Sequence, residues 1–175
     1  MRLKALWMAV SLMAAPGVAL AQNPLEGLKS SAGKQLEESG KAALEKKINA
    51  KLSQDASKNQ CSFKSGKDVL EAGCDQKLKK LTSALVDAKK QLDAGGVKNY
   101  KFEVSGHTDS SGDAAKNKEL SEKRAAVIVK ELVARGIPKG EILAVGRGSE
   151  KMLVKPDDTP AKKAKNRRYE IQVRF

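Results

Sequence analysis

Apolar residues recur at three- and four-residue steps at Leu25, Leu28, Ala32, Leu36, Ala43, Leu44, Ile48 and Leu52. That spacing stripes one side of a helix across residues 22–58. Gly27, Gly33 and Gly40 interrupt it, each weakening a helix by up to about 1 kcal/mol relative to alanine. The segment therefore reads as a marginal helix, solvated or loosely packed on the main domain. The sharper alternative is a docking helix for a partner protein, a second copy or the inner face of the outer membrane. Its stripe lacks an aromatic anchor, which argues against strong lipid insertion.

From residue 59 to 175 the pattern becomes that of a compact domain. Cys61-Ser62-Phe63 predicts a short first strand that Lys64 to Gly66 end quickly. Leu78, Leu81, Leu85, Val86 and Leu92 follow a helical period, closed by Gly95-Gly96. Tyr100, Phe102 and Val104 alternate with Lys101, Glu103 and Ser105, the mark of a half-buried strand. A second helix is predicted over 116–134, with Leu120, Ala125, Val127, Ile128, Val129 and Leu132 on its core side. Gly136 and Pro138 stop it. Residues 142–145 read as a strand and 146–166 as a polar loop. Tyr169, Ile171, Val173 and Phe175 alternate with Arg168, Glu170, Gln172 and Arg174 in a final strand whose apolar side, Phe175 included, should face the core. The order β-α-β-α-β-β with right-handed crossovers places both helices on one face of a mixed sheet. The predicted fold is an α+β two-layer sandwich preceded by an N-terminal helix.

Residues 1–21 change the picture of where the chain works. Arg2 and Lys4 precede an apolar run from Ala5 to Ala15, Pro16-Gly17 break it, and Ala19-Leu20-Ala21 offers small residues for cleavage. This is the layout of a secretory signal peptide, and the apolar run is shorter than the roughly 20 residues a membrane crossing needs. The chain carries 34 Lys and Arg against 21 Asp and Glu, a net +13; loss of Arg2 and Lys4 would leave +11. That balance suits an anionic partner, and export argues against nucleic acid. Cys61 and Cys74 are the two cysteines, and an oxidising compartment predicts a disulfide between them. With the single His107 they make no zinc pattern.

The candidate chemistry begins where the second predicted strand ends, at Ser105-Gly106-His107-Thr108-Asp109-Ser110-Ser111-Gly112. A strand running into small polar residues between glycines makes a tight exposed loop. Arg124 comes near the start of the next helix, one turn below Leu120, so Asp109 and Arg124 flank one shallow pocket. A carboxylate beside a guanidinium can grip the ammonium and carboxylate of one amino acid together.

Gly106-His107-Thr108-Asp109, then Asn117, Leu120-Ser121 and Arg124-Ala125, then Gly146, Gly148 and Glu150, and finally Asn166-Arg167-Arg168 resemble the OmpA-like C-terminal domain family, the peptidoglycan-associating module of OmpA, Pal and MotB. The match spans about residues 98–175 closely and 60–97 in helical pattern. The resemblance implies a βαβαββ fold and noncovalent binding of the peptidoglycan stem peptide at its diaminopimelate residue. By position, Asp109 and Arg124 hold the zwitterionic D-centre, Thr108 and Asn117 shape the loop, and Asn166 and Arg167 line or brace the site. Three departures stand out: Lys64 to Lys67 interrupt the first strand, Lys162-Lys163 replace a Gly-Arg pair, and Ser149 is inserted. His107 reads as structural, and one of Arg167 and Arg168 reads as a surface charge.

No nucleophile elbow or free cysteine supports catalysis, and Asp157-Asp158 lie in a polar loop rather than a cleft. The expectation is a periplasmic binding protein, without enzymatic activity or cofactor, that tethers an envelope component to the cell wall, with residues 22–58 as a candidate contact to an outer-membrane or envelope protein. The alternative is an interaction protein that kept the fold and binds a membrane protein or anionic lipid through its basic surface.

Overall fold

The structure, a computed structural model, describes residues 24–64 and 66–175, with side chains described from residue 34 onward. The expected leader, and the Leu25, Leu28 and Ala32 part of the helical stripe, lie outside the described residues or side chains. The chain divides into a unit ending at Leu36 and a unit from Glu37 to Phe175. The first contributes the opening turns of a helix, α1 (Pro24–Lys58). The second holds the remainder of α1 and every other element.

That second unit continues from α1 through α2 (Asp75–Ala94), β1 (Lys101–His107), α3 (Ala114–Ala134), β2 (Ile142–Gly148), α4 (Pro160–Asn166) and β3 (Tyr169–Arg174). The sheet order is β2-β1-β3, with β1 parallel to β2 and antiparallel to β3. Phe102, Val104, Ile142, Ile171 and Val173 share one sheet face and one core with α1, α2 and α3. Glu103, with Arg147 at 2.8 Å and Arg174 at 3.9 Å, marks the opposite, polar face. The two-layer α+β sandwich is therefore present.

Local chemistry explains the element ends. Asp113 caps α3 by accepting from the Lys116 N–H, so this helix opens two residues earlier than its apolar period suggested. Gly136, at φ +103°, ends it where other residues would be strained. The 146–166 segment is not all loop: Thr159 caps α4 and Pro160 takes its first turn, the position proline favours.

Three expectations are corrected. The Cys61–Phe63 strand does not join the sheet; Phe63 makes only an isolated bridge to Leu70, within a small hairpin tied by Lys64 N–H to Val69 O and Glu71 N–H to Ser62 O. Its turn includes Gly66 at φ +64°. The strand edge it would have paired with is already covered. Asn49 accepts from the Val173 N–H (2.7 Å) and donates to its carbonyl (3.2 Å). Gln60 does the same for Tyr169 at 3.1 and 2.7 Å. Two side-chain amides thus satisfy backbone groups that an open edge strand leaves exposed. Second, α1 is not loosely attached: Ile48 is 2% exposed, and Leu52 and Ala56 are likewise buried in the common core. The boundary expected at residue 58 consequently falls inside the compact unit. Third, Phe175 is 47% exposed rather than in the core, because β3 ends at Arg174.

Candidate functional site

The parallel pair β1 and β2 ends at one rim of the sheet, where ligand crevices form in open α/β sheets. There the Thr108–Gly112 loop, the first turns of α3, the 62–71 hairpin and the end of α4 surround an open cleft of about 1010 Å³. Thr108, Asp109, Asn117, Arg124 and Arg167 all line it. Asn166 does not; it is fully buried behind the rim.

Asp109 is 9% exposed. Its Oδ1 accepts from the Ser111 N–H at 3.0 Å and its Oδ2 from the Arg167 guanidinium at 2.8 Å. Burial raises the carboxyl's pKa, but the Arg167 and Ser111 donors outweigh burial and leave it below the ordinary value. Each oxygen keeps a further acceptor site. Arg124 has a different anchor. Its Nε donates to the Lys67 carbonyl at 3.0 Å and its guanidinium lies 5.2 Å from the Phe63 ring centroid, a cation–π distance. Burial and then Arg167 push Arg124 down from its ordinary pKa, and Asp109 opposes them. Among the described residues its Nη groups make no hydrogen bond. The carboxylate's direct partner is thus Arg167, while Arg124 faces the same cleft from α3.

Asn117 Nδ2 donates to Ser111 O at 2.8 Å and holds the loop against α3. Thr108 is tied by its N–H to Gly148 O at 2.9 Å, and its buried Oγ1 has no hydrogen-bond partner among the described residues. Arg168 is not a mere surface charge. It bonds Glu170, the Asn166 carbonyl (3.2 Å) and the Lys151 carbonyl (3.0 Å), knitting the preceding loop to β3. Cys61 and Cys74 are buried and carry free thiols in this structure, with Cys61 Sγ 3.9 Å from the Cys74 carbonyl oxygen. Burial, reinforced by the Cys74 thiol, pushes Cys61 up to about 12. Sequence reasoning misses Lys67, Phe63 and the contact between Ser110 and Asp157; a backbone acceptor in a short hairpin leaves no side-chain signature.

His107 is buried, its Nε2 3.3 Å from Ser105 Oγ and 3.8 Å from Glu170. Burial, then Arg168, lowers its pKa from 6.5 to about 4, with Glu170 opposing. A folded-state value below the unfolded one means that its stabilising effect is complete above about pH 6.5 and is lost as pH falls towards 4. The difference in thermal midpoint between the parent and His107→Gln should therefore shrink across that window. A difference independent of pH would show that the imidazole charges freely in the fold.

A model of the OmpA family matches residues 62–167. Peptidoglycan-binding protein ArfA of Mycobacterium bovis is 41% identical over 70 residues, 40% of this chain and 21% of that protein. Outer membrane porin F of Pseudomonas fluorescens is 45% identical over 71 residues, 41% of this chain and 22% of the porin. The chain thus spans about a fifth of these relatives. The crystal structure of the peptidoglycan-associated lipoprotein from Burkholderia pseudomallei superposes with a TM-score of 0.55 at 21% identity, covering 69% of this chain and 93% of that one; this likeness is one of fold.

Proposed function

The chain belongs to the OmpA family, and from that premise we propose that its cleft binds peptidoglycan noncovalently, taking the zwitterionic D-centre of diaminopimelate in the stem peptide. The observation that carries this reading is the single cleft shared by Asp109, Arg124 and Arg167. A ligand ammonium meets the free acceptor sites of Asp109, and the ligand carboxylate meets the Nη donors of Arg124, which no described residue engages. Asn117 and Thr108 keep the loop at that distance. The role is tethering in the periplasm: the cleft holds the wall, and a contact to an outer-membrane or envelope protein falls to the part of α1 ahead of the core, where Leu36 is exposed.

The test is sedimentation of the mature protein with purified sacculi of the diaminopimelate type. Retention should survive salt raised past physiological strength, where the screening length drops below about 8 Å, and free diaminopimelate should release it. Release by salt alone, with no competition by diaminopimelate, would assign retention to the basic surface and overturn the proposal.

A further inference from the structure

Asp157 does not line the cleft, yet it is only 5% exposed, in a segment whose composition suggests a solvated loop. Its neighbour Asp158 behaves as that composition predicts, exposed and paired with Lys162 at 2.7 Å. Asp157 instead receives three donors. Its Oδ2 accepts from the Ser110 N–H at 2.9 Å and from Asn166 Nδ2 at 3.1 Å, and its Oδ1 accepts from the Ser110 hydroxyl. The Ser110 hydroxyl and N–H hold the carboxyl down to about 2.

The partners close a ring. Ser110 adjoins Asp109, Asn166 adjoins Arg167, and Arg167 donates to Asp109 at 2.8 Å. Asn166 is itself fixed, accepting from the Leu153 and Val154 N–H groups at 2.8 and 3.1 Å and donating to Val154 O at 3.0 Å. We propose that Asp157 is a positioning residue of the cleft: through Ser110 and Asn166 it holds the Asp109 carboxylate and the Arg167 guanidinium in one fixed relation. Two of the groups facing it, the Ser110 N–H and the Asn166 amide, donate to Oδ2, and the Ser110 hydroxyl donates to Oδ1. An asparagine there would lose the charge that strengthens all three bonds and would have to reverse the bond with the Ser110 hydroxyl, which can also accept. A binding constellation left about 1 Å loose by its supporting residues loses function although its contact residues are intact.

The inference rests on the proposed function, and its test separates the two. A soluble diaminopimelate-containing muropeptide is titrated into the parent, Asp157→Asn and Ser110→Ala, and the Asp109 carboxyl is titrated by carbon NMR in each. Asp157→Asn should weaken binding by about tenfold or more, the scale of one lost charge-assisted hydrogen bond, and raise the Asp109 titration as its contact with Arg167 loosens. Ser110→Ala removes only the hydroxyl and should lose about threefold. If Asp157→Asn fails to fold, Ser110→Ala decides. A folded variant that binds within twofold of the parent, or that loses affinity with the Asp109 titration unmoved, overturns the proposal. A parent that ignores the muropeptide overturns the binding function instead, and the Asp109 titration still reports on positioning.

Discussion

Asp109→Ala should abolish retention on sacculi, with muropeptide affinity falling about a hundredfold or more. The carboxylate is 9% exposed and balances guanidinium groups on two sides of the cleft. Removing it deletes the acceptor for a ligand ammonium, leaves Arg167 without its 2.8 Å partner, and takes away a charge that offsets the repulsion between Arg167 and Arg124. In the complex, truncating one member of the desolvated, hydrogen-bonded charge pair between Asp109 and the ligand ammonium costs about 2–5 kcal/mol, and a hundredfold change is about 2.7 kcal/mol. Folding should suffer less, because the Arg167 side chain is 45% exposed and water can replace the lost contact. Calorimetric titration beside a thermal melt reads both effects. A folded Asp109→Ala that sediments with sacculi as fully as the parent would remove Asp109 from the site.

The parts of this molecule legible in its sequence are those whose causes are local. The alternation of Tyr169, Ile171 and Val173 marks β3 because one sheet face is buried and the other is wet. Asp109 and Arg124 can be placed on one cleft from the sequence because β1, its loop and α3 form one continuous unit. The illegible parts depend on contacts between distant segments. Nothing near Cys61–Phe63 announces that Asn49, 124 residues from Val173, occupies the edge a strand would have used. Asp157 looks like an ordinary polar-loop residue until Ser110, 47 residues away, folds against it. Arg124 finds its anchor on a carbonyl 57 residues upstream, a group every residue possesses. α4 escapes for another reason: its lysines read as solvated loop, and the Thr159-Pro160 start signal outweighs them.

Gly106→Ala tests the geometry on which the cleft depends, and it should destabilise the fold by about 3 kcal/mol or more. A methyl group at Gly106 would lie 2.1 Å from the Ser121 carbonyl oxygen and 2.9 Å from its carbon. Both are backbone atoms of α3, so no side-chain rotation relieves the clash. Gly146 on β2 is similarly tight, 2.4 Å from Lys118 O. The two glycines let α3 lie directly on the parallel strand pair, where the buried Ser121 hydroxyl donates to Lys118 O and accepts from the Gly148 N–H at 2.8 and 2.9 Å. Pushing α3 off the sheet breaks that bridge and moves Asn117 and Arg124 away from Asp109, so stability and binding should fall together. At this size, a loss of about 3 kcal/mol lowers the thermal midpoint by about 10 °C. Gly140→Ala is the matched control, since a methyl group there meets nothing within 4 Å. If Gly106→Ala melts where Gly140→Ala does, α3 does not rest on β1 as closely as its contacts require, and the distance between the two halves of the cleft is set by something else.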